Sequence, residues 1–292
     1  MLTGMTFETP ATGAWPSLEP GTEWAVTINV GAGPGGSAQR TEAMTHWAEV
    51  ARRDRRPAIV FAQEVTPSWV DSWTHDYVAT YGVKRGWRTR SVLLTRTDLE
   101  ISALTEEHQP TLGYHGDYVA AALWHNSPEG DVILASVHAS PNPADLERYP
   151  WPAEAVLPRD GGGDRRYAGG RLWDSDLLLR TLELLAQDAP LVAAGDFNEA
   201  RDFDLVGGQR VGIWGQEYFL RASAAGLDSL PWRRWQESER STHEALQLDH
   251  VLHNRQAEPL LDGPAEPRLD PEWHAADHAL SDHTALWFPI RT

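Results

Sequence analysis

Short apolar runs, each closed by polar residues, recur along this 292-residue chain. Trp24 to Val30 reads as a buried strand, Gly31 to Ser37 as a flexible turn, and Ala38 to Arg53 as a helix. Ala58 to Gln63 is a second apolar strand, and Ser68 is placed to cap a helix running to about Val78. Strand, loop and helix thus alternate at the start. Val92 to Thr95, Tyr118 to His125 and Val132 to Val137 follow as strands with few helical residues between them, the pattern of antiparallel neighbours. Asp174 to Gln187 carries a leucine-rich helical period, Leu191 to Ala194 a buried strand, and Gln247 to His253 and Thr284 to Ile290 the last strands. Many strands with a few helices, divided about the middle, predict two packed mixed sheets covered by helices.

From Asn142 to Arg171 the chain is rich in Pro and Gly, including Gly161, Gly162 and Gly163. Such a stretch is too irregular for a core element, and loops of this length are often functional, so it is expected to shape specificity. No repeat or linker divides the chain, and residues 1–292 are expected to form one domain with an irregular lead over residues 1–22. Hydrophobic residues make up 41% of the chain and Trp occurs 14 times, enough apolar area to close a core. Asp and Glu total 42 against 25 Lys and Arg, and the net charge of −17 repels polyanions at long range. That counts against avid nonspecific binding of nucleic acid, although a bound cation can reverse the field within a site. The absence of Cys excludes disulfides, thiolate metal sites and cysteine nucleophiles. The first twenty residues lack a basic start followed by an apolar core, and no apolar run approaches the roughly 18 residues of a membrane span. A cytoplasmic location is the corresponding expectation.

Polar side chains gather at the ends of the apolar runs, where an α/β scaffold presents groups to a shared crevice. Asn29 follows VTI, Gln63 and Glu64 follow IVFA, His138 follows ILASV, and Asp196 and Asn198 follow LVAAG. Asp249 and His250 lie within LQLDHVL, and Ser281, Asp282 and His283 immediately precede the last strand. Singly, each has an ordinary structural explanation as a turn former, a helix-start carboxylate or a hydrogen-bonded histidine. Together, several carboxylates with amides and imidazoles and no thiol match the hard oxygen ligation preferred by Mg²⁺ or Mn²⁺.

In this order the motifs resemble those of the endonuclease/exonuclease/phosphatase superfamily, which includes apurinic endonucleases, DNase-I-like nucleases, neutral sphingomyelinases and inositol polyphosphate phosphatases. The resemblance rests on Asn29, Gln63-Glu64, His138 with Ser140-Pro141, Gly195-Asp196-Phe197-Asn198, Leu248-Asp249-His250 and Ser281-Asp282-His283, and it spans roughly residues 24–290. It implies an α/β fold, a four-layer α/β sandwich of two packed mixed β-sheets flanked by helices. It also implies a metal-dependent phosphoric ester hydrolase using Mg²⁺, with Mn²⁺ as a substitute, on a phosphate-ester substrate that includes nucleic acid among its candidates. By the same resemblance Glu64 ligates the metal, Asn29 supports that site and touches the phosphate, and Asp282 lies in or next to the metal's ligand set. His283, oriented by Asp249, is general base or phosphate clamp. Asp196 positions the attacking water or protonates the leaving oxygen, and Asn198 and His138 hydrogen-bond the phosphoryl oxygens. The sequence leaves open which of His283 and Asp196 takes the proton. An anionic phosphodiester needs charge neutralisation, a base near neutral pH and in-line positioning, which such a set supplies.

Some features depart from this pattern or admit another reading. Some superfamily members carry Asp two residues after the first Asn, where this chain has Gly31. Lys84 to Arg90 holds four basic residues and Trp87, either a phosphate-facing surface or a solvated loop. Trp173 and Asp174 either face the site or, for Asp174, cap a helix. Asp277-His278 duplicates Asp282-His283, and the apolar strand directly after His283 favours the later pair. The GxGxxG at Gly31, Gly33 and Gly36 would suit a dinucleotide-binding oxidoreductase, but Glu64 lies 28 residues past Gly36 where about 20 are expected. A non-catalytic binding module on the same fold is an alternative that loss of Glu64 or His283 would have favoured, and both are present. Within the enzymes, His138 leans the reading towards a phosphodiesterase, nuclease or lipid-directed, rather than a phosphomonoesterase.

Overall fold

A computed structural model of the chain describes residues 15–31, 38–82, 90–104, 118–144, 172–206, 209–210, 213–243, 246–270 and 281–292. The start of the N-terminal lead, most of the Gly-rich turn, the basic stretch before Arg90, most of the irregular stretch that ends at Arg171, and Asp277-His278 lie outside the described residues.

The described strands are, in chain order, β1 (Thr22–Asn29), β2 (Ile59–Val65), β3 (Tyr77–Tyr81), β4 (Arg90–Arg96), β5 (Ile101–Ala103), β6 (Val119–Ser127), β7 (Gly130–His138), β8 (Leu191–Asp196), β9 (Leu205–Val206), β10 (Gln209–Arg210), β11 (Leu227–Ser229), β12 (Asp249–Asn254), β13 (Arg268–Leu269) and β14 (Leu286–Arg291). Six form one sheet in the order β13-β14-β1-β2-β4-β3, and six form a second in the order β11-β12-β8-β7-β6-β5, while β9 and β10 pair separately. Both large sheets are mixed: β1 is parallel to β2 and β7 is parallel to β8, and their other pairings are antiparallel. The helices are α1 (Ala38–Val50), α2 (Pro67–Asp71), α3 (Asp174–Asp188), α4 (Trp214–Ala224), α5 (Leu230–Arg234) and α6 (Glu258–Leu261).

Successive side chains of a strand point to opposite faces, and here both faces are covered, so the strands read as continuous apolar runs. Val26, Ile28, Val60, Ala62, Val92 and Leu94 of the first sheet pack outward on Met44 and Trp47 of α1, Trp69 of α2 and the nearby Trp73. Their alternates, Ala25, Ile59, Phe61 and Leu93, pack inward on Ala120, Ala122, Val132, Leu134, Val192 and Ala194 of the second sheet. The remaining alternates, Ile133, Ala135, Val137, Leu191 and Ala193, pack on Leu178, Leu182 and Leu185 of α3 and on Tyr218 and Phe219 of α4. The result is helix, sheet, sheet, helix: the four-layer sandwich expected above, and no doubly wound dinucleotide fold. Among the described residues no helix is long and apolar enough to cross a membrane.

Two helical expectations are corrected. Thr66, not Ser68, caps α2, its side chain accepting the Trp69 N–H at 3.3 Å, and α2 ends at Asp71 rather than near Val78. Tyr77 to Tyr81 instead pairs with β4 as an edge strand, anchored by the Tyr77 hydroxyl donating to the Pro57 carbonyl at 2.6 Å; its aromatic and β-branched residues suit a pleated surface better than a helix. Helix α4 was not anticipated, although Trp214, Tyr218, Phe219 and Ala222 form a buried stripe at helical spacing. The short strands β5, β9, β10, β11 and β13 carry too few residues for a period to show.

Candidate active site

The topology explains why residues far apart in sequence share one edge of the sandwich. In the parallel pairs the functional residues end strands: Asn29 is in register with Gln63, and His138 with Asp196. In the antiparallel pairs they begin strands, so Asp249, first residue of β12, lies in register with Asp196 on its other side. Ser281 to His283 likewise lead into β14, antiparallel to β1. The groups on β1, β2, β7 and β8 thus stand at the C-terminal ends of their strands, whereas Asp249 opens β12.

The two sheets meet beneath this edge through polar contacts. Gln63 Nε2 donates to Ser136 Oγ at 3.0 Å, and Ser136 Oγ donates to the Ala62 carbonyl at 3.1 Å. Gln63 is fully buried, so it joins the sheets and leaves the open side to Glu64. A side chain at Gly195 would place its Cβ 1.9 Å from the Val137 carbonyl oxygen, so the neighbouring strand admits only glycine there. Glu64 and Asn198 adopt left-handed backbone, with φ of 51° and 50°. For Glu64 this coincides with a register shift between Ala62 and Val65, a bulge that re-aims the carboxylate. Strain of this kind, about 1–3 kcal/mol per residue, persists where surrounding structure enforces it.

Asp196 is the hub. Its Oδ2 accepts the Asn29 amide at 3.0 Å and its Oδ1 accepts the Asn198 N–H at 2.8 Å. The Nε2 atoms of His283 and His138 stand 3.6 and 3.8 Å from the same Oδ2, beyond ordinary hydrogen-bond length. Asn29 Nδ2 also faces Glu64 Oε1 at 3.4 Å, and His138 Nε2 lies 3.5 Å from that oxygen. His283 Nδ1 is 2.8 Å from Asp249 Oδ2, an aspartate–histidine dyad that orients the ring with Nε2 towards Asp196. The Asp249 N–H is taken by Thr242 Oγ1 at 3.0 Å. Ser281 Oγ donates to the Asn29 carbonyl at 2.8 Å and accepts the His283 N–H at 3.2 Å, tying the last motif to the first.

Burial opposes charge on the His283 ring, but the carboxylates of Asp249, Asp196 and Asp282 outweigh it and push the imidazole up to about 10. Burial likewise opposes ionisation of Asp249, whose carboxyl is nonetheless held below the usual range by His283, the Thr242 hydroxyl and His250. Asp196 is pushed up by burial and by Asp249, against the pull of His283, His138 and the Asn198 N–H.

Of the expected residues, Asn29, Glu64, His138, Asp196, Asp249 and His283 are thus brought together. Asn198 is linked through its N–H to Asp196 and through Nδ2 to the Ala139 carbonyl at 2.7 Å. Asp282 is half exposed, held by Ser281 Oγ at 3.3 Å and facing His243 Nε2 at 3.9 Å. His250 is turned away: its Nε2 contacts the Glu199 and Gln247 carbonyls, each at 2.9 Å, and burial pushes it down to about 4, the mark of a neutral core histidine. His243 was missed in sequence. Its ring lies 4.7 Å from that of His283, and its backbone bridges His283 and Leu246. A lone histidine outside an apolar run gives no periodic signal.

A family model for the endonuclease/exonuclease/phosphatase family matches residues 26–283. The chain belongs to that family. Its members are hydrolytic phosphoesterases. Among solved structures, the AP endonuclease LMAP from Leishmania major superposes with a TM-score of 0.62 at 12% identity, over 93% of this chain and 88% of that one. The 3'-5' exonuclease NExo from Neisseria meningitidis gives 0.59 at 15% identity, over 92% of this chain and 100% of that one. TDP2 from D. rerio, complexed with a single-strand DNA product, gives 0.52 at 14% identity, over 93% of this chain and 99% of that one. These likenesses establish the shared fold. No curated protein sequence matches the chain.

Proposed function

We propose that the chain is a divalent-metal-dependent phosphodiesterase that directs water in line onto phosphorus. The observation that carries this reading is the Asp249–His283 dyad at 2.8 Å aimed at a second buried carboxylate, Asp196, whose imidazole neighbours stop short of hydrogen bonding. His283, between two carboxylates, acts as a cationic clamp on a phosphoryl oxygen. Asp196, held by the Asn29 amide and the Asn198 N–H and poorly solvated, accepts the proton of the attacking water; as that oxygen bonds to phosphorus the opposite ester P–O bond breaks, and the departing oxygen takes a proton from solvent. His138 and Asn198 hydrogen-bond the other phosphoryl oxygens as charge builds on them.

Glu64 and Asn29 would hold the cation, with Asp282 beside them. The donor set fits Mg²⁺ or Mn²⁺: the Glu64 side chain is part-exposed, the amide and imidazole contacts of its Oε1 at 3.4 and 3.5 Å are loose, and no thiol is present. Among the described residues no three carboxylate or imidazole side chains group as metal ligands. Mg²⁺ does not require such a group, since it keeps several waters and takes one or two carboxylates with substrate oxygens. When bound, the cation neutralises phosphoryl charge.

Hydrolysis of a bis-aryl phosphodiester, an aryl phosphomonoester, single-stranded DNA, RNA and sphingomyelin, each with Mg²⁺ or Mn²⁺ and with chelator, tests the reading. Chelator-sensitive cleavage of a diester is expected. Cleavage of the monoester alone, or equal rates with and without chelator, would overturn it.

A further inference from the structure

Asp174 has no part in that scheme, yet it adjoins it. It is the first residue of α3, and its carboxylate does not cap that helix: the N-cap is Trp173, whose N–H goes to Asp176 Oδ2 at 3.3 Å. Asp174 instead reaches the chain leaving β7, where its Oδ2 accepts the Ser140 N–H at 2.8 Å. The same short segment is tied twice more, by the Ala139 N–H donating to the Asp196 carbonyl at 2.8 Å and by the Ala139 carbonyl accepting Asn198 Nδ2 at 2.7 Å. Residues 138–140 therefore carry His138 and anchor Asn198, the two groups assigned to the phosphoryl oxygens. Beyond them the chain is clipped to the start of α3, with Ala144 N–H donating to the Leu172 carbonyl at 2.8 Å and Pro143 bridged to Trp173.

An asparagine would accept the Ser140 N–H equally well without placing a charge out of water. Burial pushes the Asp174 carboxyl up to about 6, with the Ser140 N–H and His138 acting against that rise. A negative charge retained at such a cost is informative when a functional imidazole feels it.

We propose that Asp174 is a positioning residue for His138: its carboxylate fixes the peptide after His138 through the Ser140 N–H and holds negative charge towards the imidazole. The proposal rests on the phosphate-facing reading of His138. The ring thereby stays near Glu64 and Asp196, ready to donate to an anionic oxygen.

Two variants separate the parts. Asp174→Asn keeps an oxygen acceptor for Ser140 and removes the charge, whereas Asp174→Ala removes both. With bis(4-nitrophenyl) phosphate and Mn²⁺, kcat should fall roughly fivefold in the first and roughly 30-fold in the second, below the roughly 10²–10⁴-fold of a group that itself transfers a proton, because Asp174 acts through His138. KM should change less than about twofold, and the Asp174→Asn variant should melt no lower than the wild type, since it keeps the acceptor and sheds the buried charge. In a His138→Ala background both losses should disappear, because a residue that works through His138 has nothing left to act on. Equal losses with and without His138, or wild-type kcat in Asp174→Ala, would overturn the proposal. If His138→Ala alone is fully active, the reading of His138 has failed instead. Amide hydrogen exchange at Ser140 then still reports on Asp174: slow in wild type and Asp174→Asn and fast in Asp174→Ala is expected, and slow exchange in all three removes the anchor.

Discussion

Two buried aspartates, Asp270 and Asp196, show how the same group serves structure in one place and chemistry in another. On the outer face of the first sheet, Asp270 Oδ2 accepts the indole N–H groups of Trp47 at 3.0 Å and Trp287 at 3.1 Å and a guanidinium N–H of Arg55 at 2.9 Å. Arg55 in turn lies over the rings of Trp15 and Trp287, at 4.5 and 5.3 Å. The donors are rigid, and the cation never titrates near neutral pH. Asp196 Oδ2 has a neutral amide at 3.0 Å and two imidazoles that stop at 3.6 and 3.8 Å. Those imidazoles stop short of hydrogen bonding, so their Nε2 atoms are not committed to this carboxylate. A buried charge with every donor seated holds a fold together, whereas one whose partners stand off marks a site.

The comparison breaks most visibly through activity. Under the proposed function, His283→Ala should lower kcat about 10³-fold, the middle of the range for such a group. Steady-state kinetics on a cleaved diester measure it, and a loss below tenfold would place the chemistry elsewhere. Asp270→Ala should do the reverse. Removing the shared acceptor of Arg55, Trp47 and Trp287 should cost about 3–5 kcal/mol by urea unfolding, the usual penalty for breaking a buried ion pair. The folded fraction should keep wild-type kcat.

His250 sharpens the comparison through pH. Its folded value of about 4 lies below the ordinary 6.5, so between those values the unfolded chain binds a proton that the folded chain refuses. The stability it contributes is complete above pH 6.5 and drains at about 1.4 kcal/mol per unit as pH falls towards 4. Urea titrations of wild type and His250→Gln across that window should differ by this slope, and parallel curves would mean that the ring is not neutral in the fold. The smallest effect concerns strain. Glu64→Gly relieves a left-handed glutamate at φ 51° and should raise stability by about 0.5–1 kcal/mol, while removing the proposed metal ligand and with it turnover.

Much of this was legible because burial on two faces leaves a strong mark. The runs around Val26, Val60, Leu134 and Val192 had to be strands between two covering layers, and polar residues at their ends had to face solvent or a site. The helix expected to reach Val78 stops at Asp71, and Tyr77 to Tyr81, whose aromatic and β-branched residues suit a pleated surface, pairs with β4 as an edge strand. His250 and Asp249 looked alike as neighbours, and only their opposite directions on β12 made one a core residue and the other the partner of His283.

By itself, then, the order of residues determined the alternation of strands and helices, the absence of thiol chemistry, and the motifs that place the chain in its family. Those depend on composition and on neighbours within a few positions. Tertiary structure decided which charges meet. The 2.8 Å dyad joins residues 34 apart, the Asn29 amide reaches Asp196 across 167 positions, and Asp174 faces Ser140 rather than its own helix. The packing of one sheet on the other, and of α3 on the chain leaving β7, sets such distances, and no local pattern in the chain records which strands become neighbours.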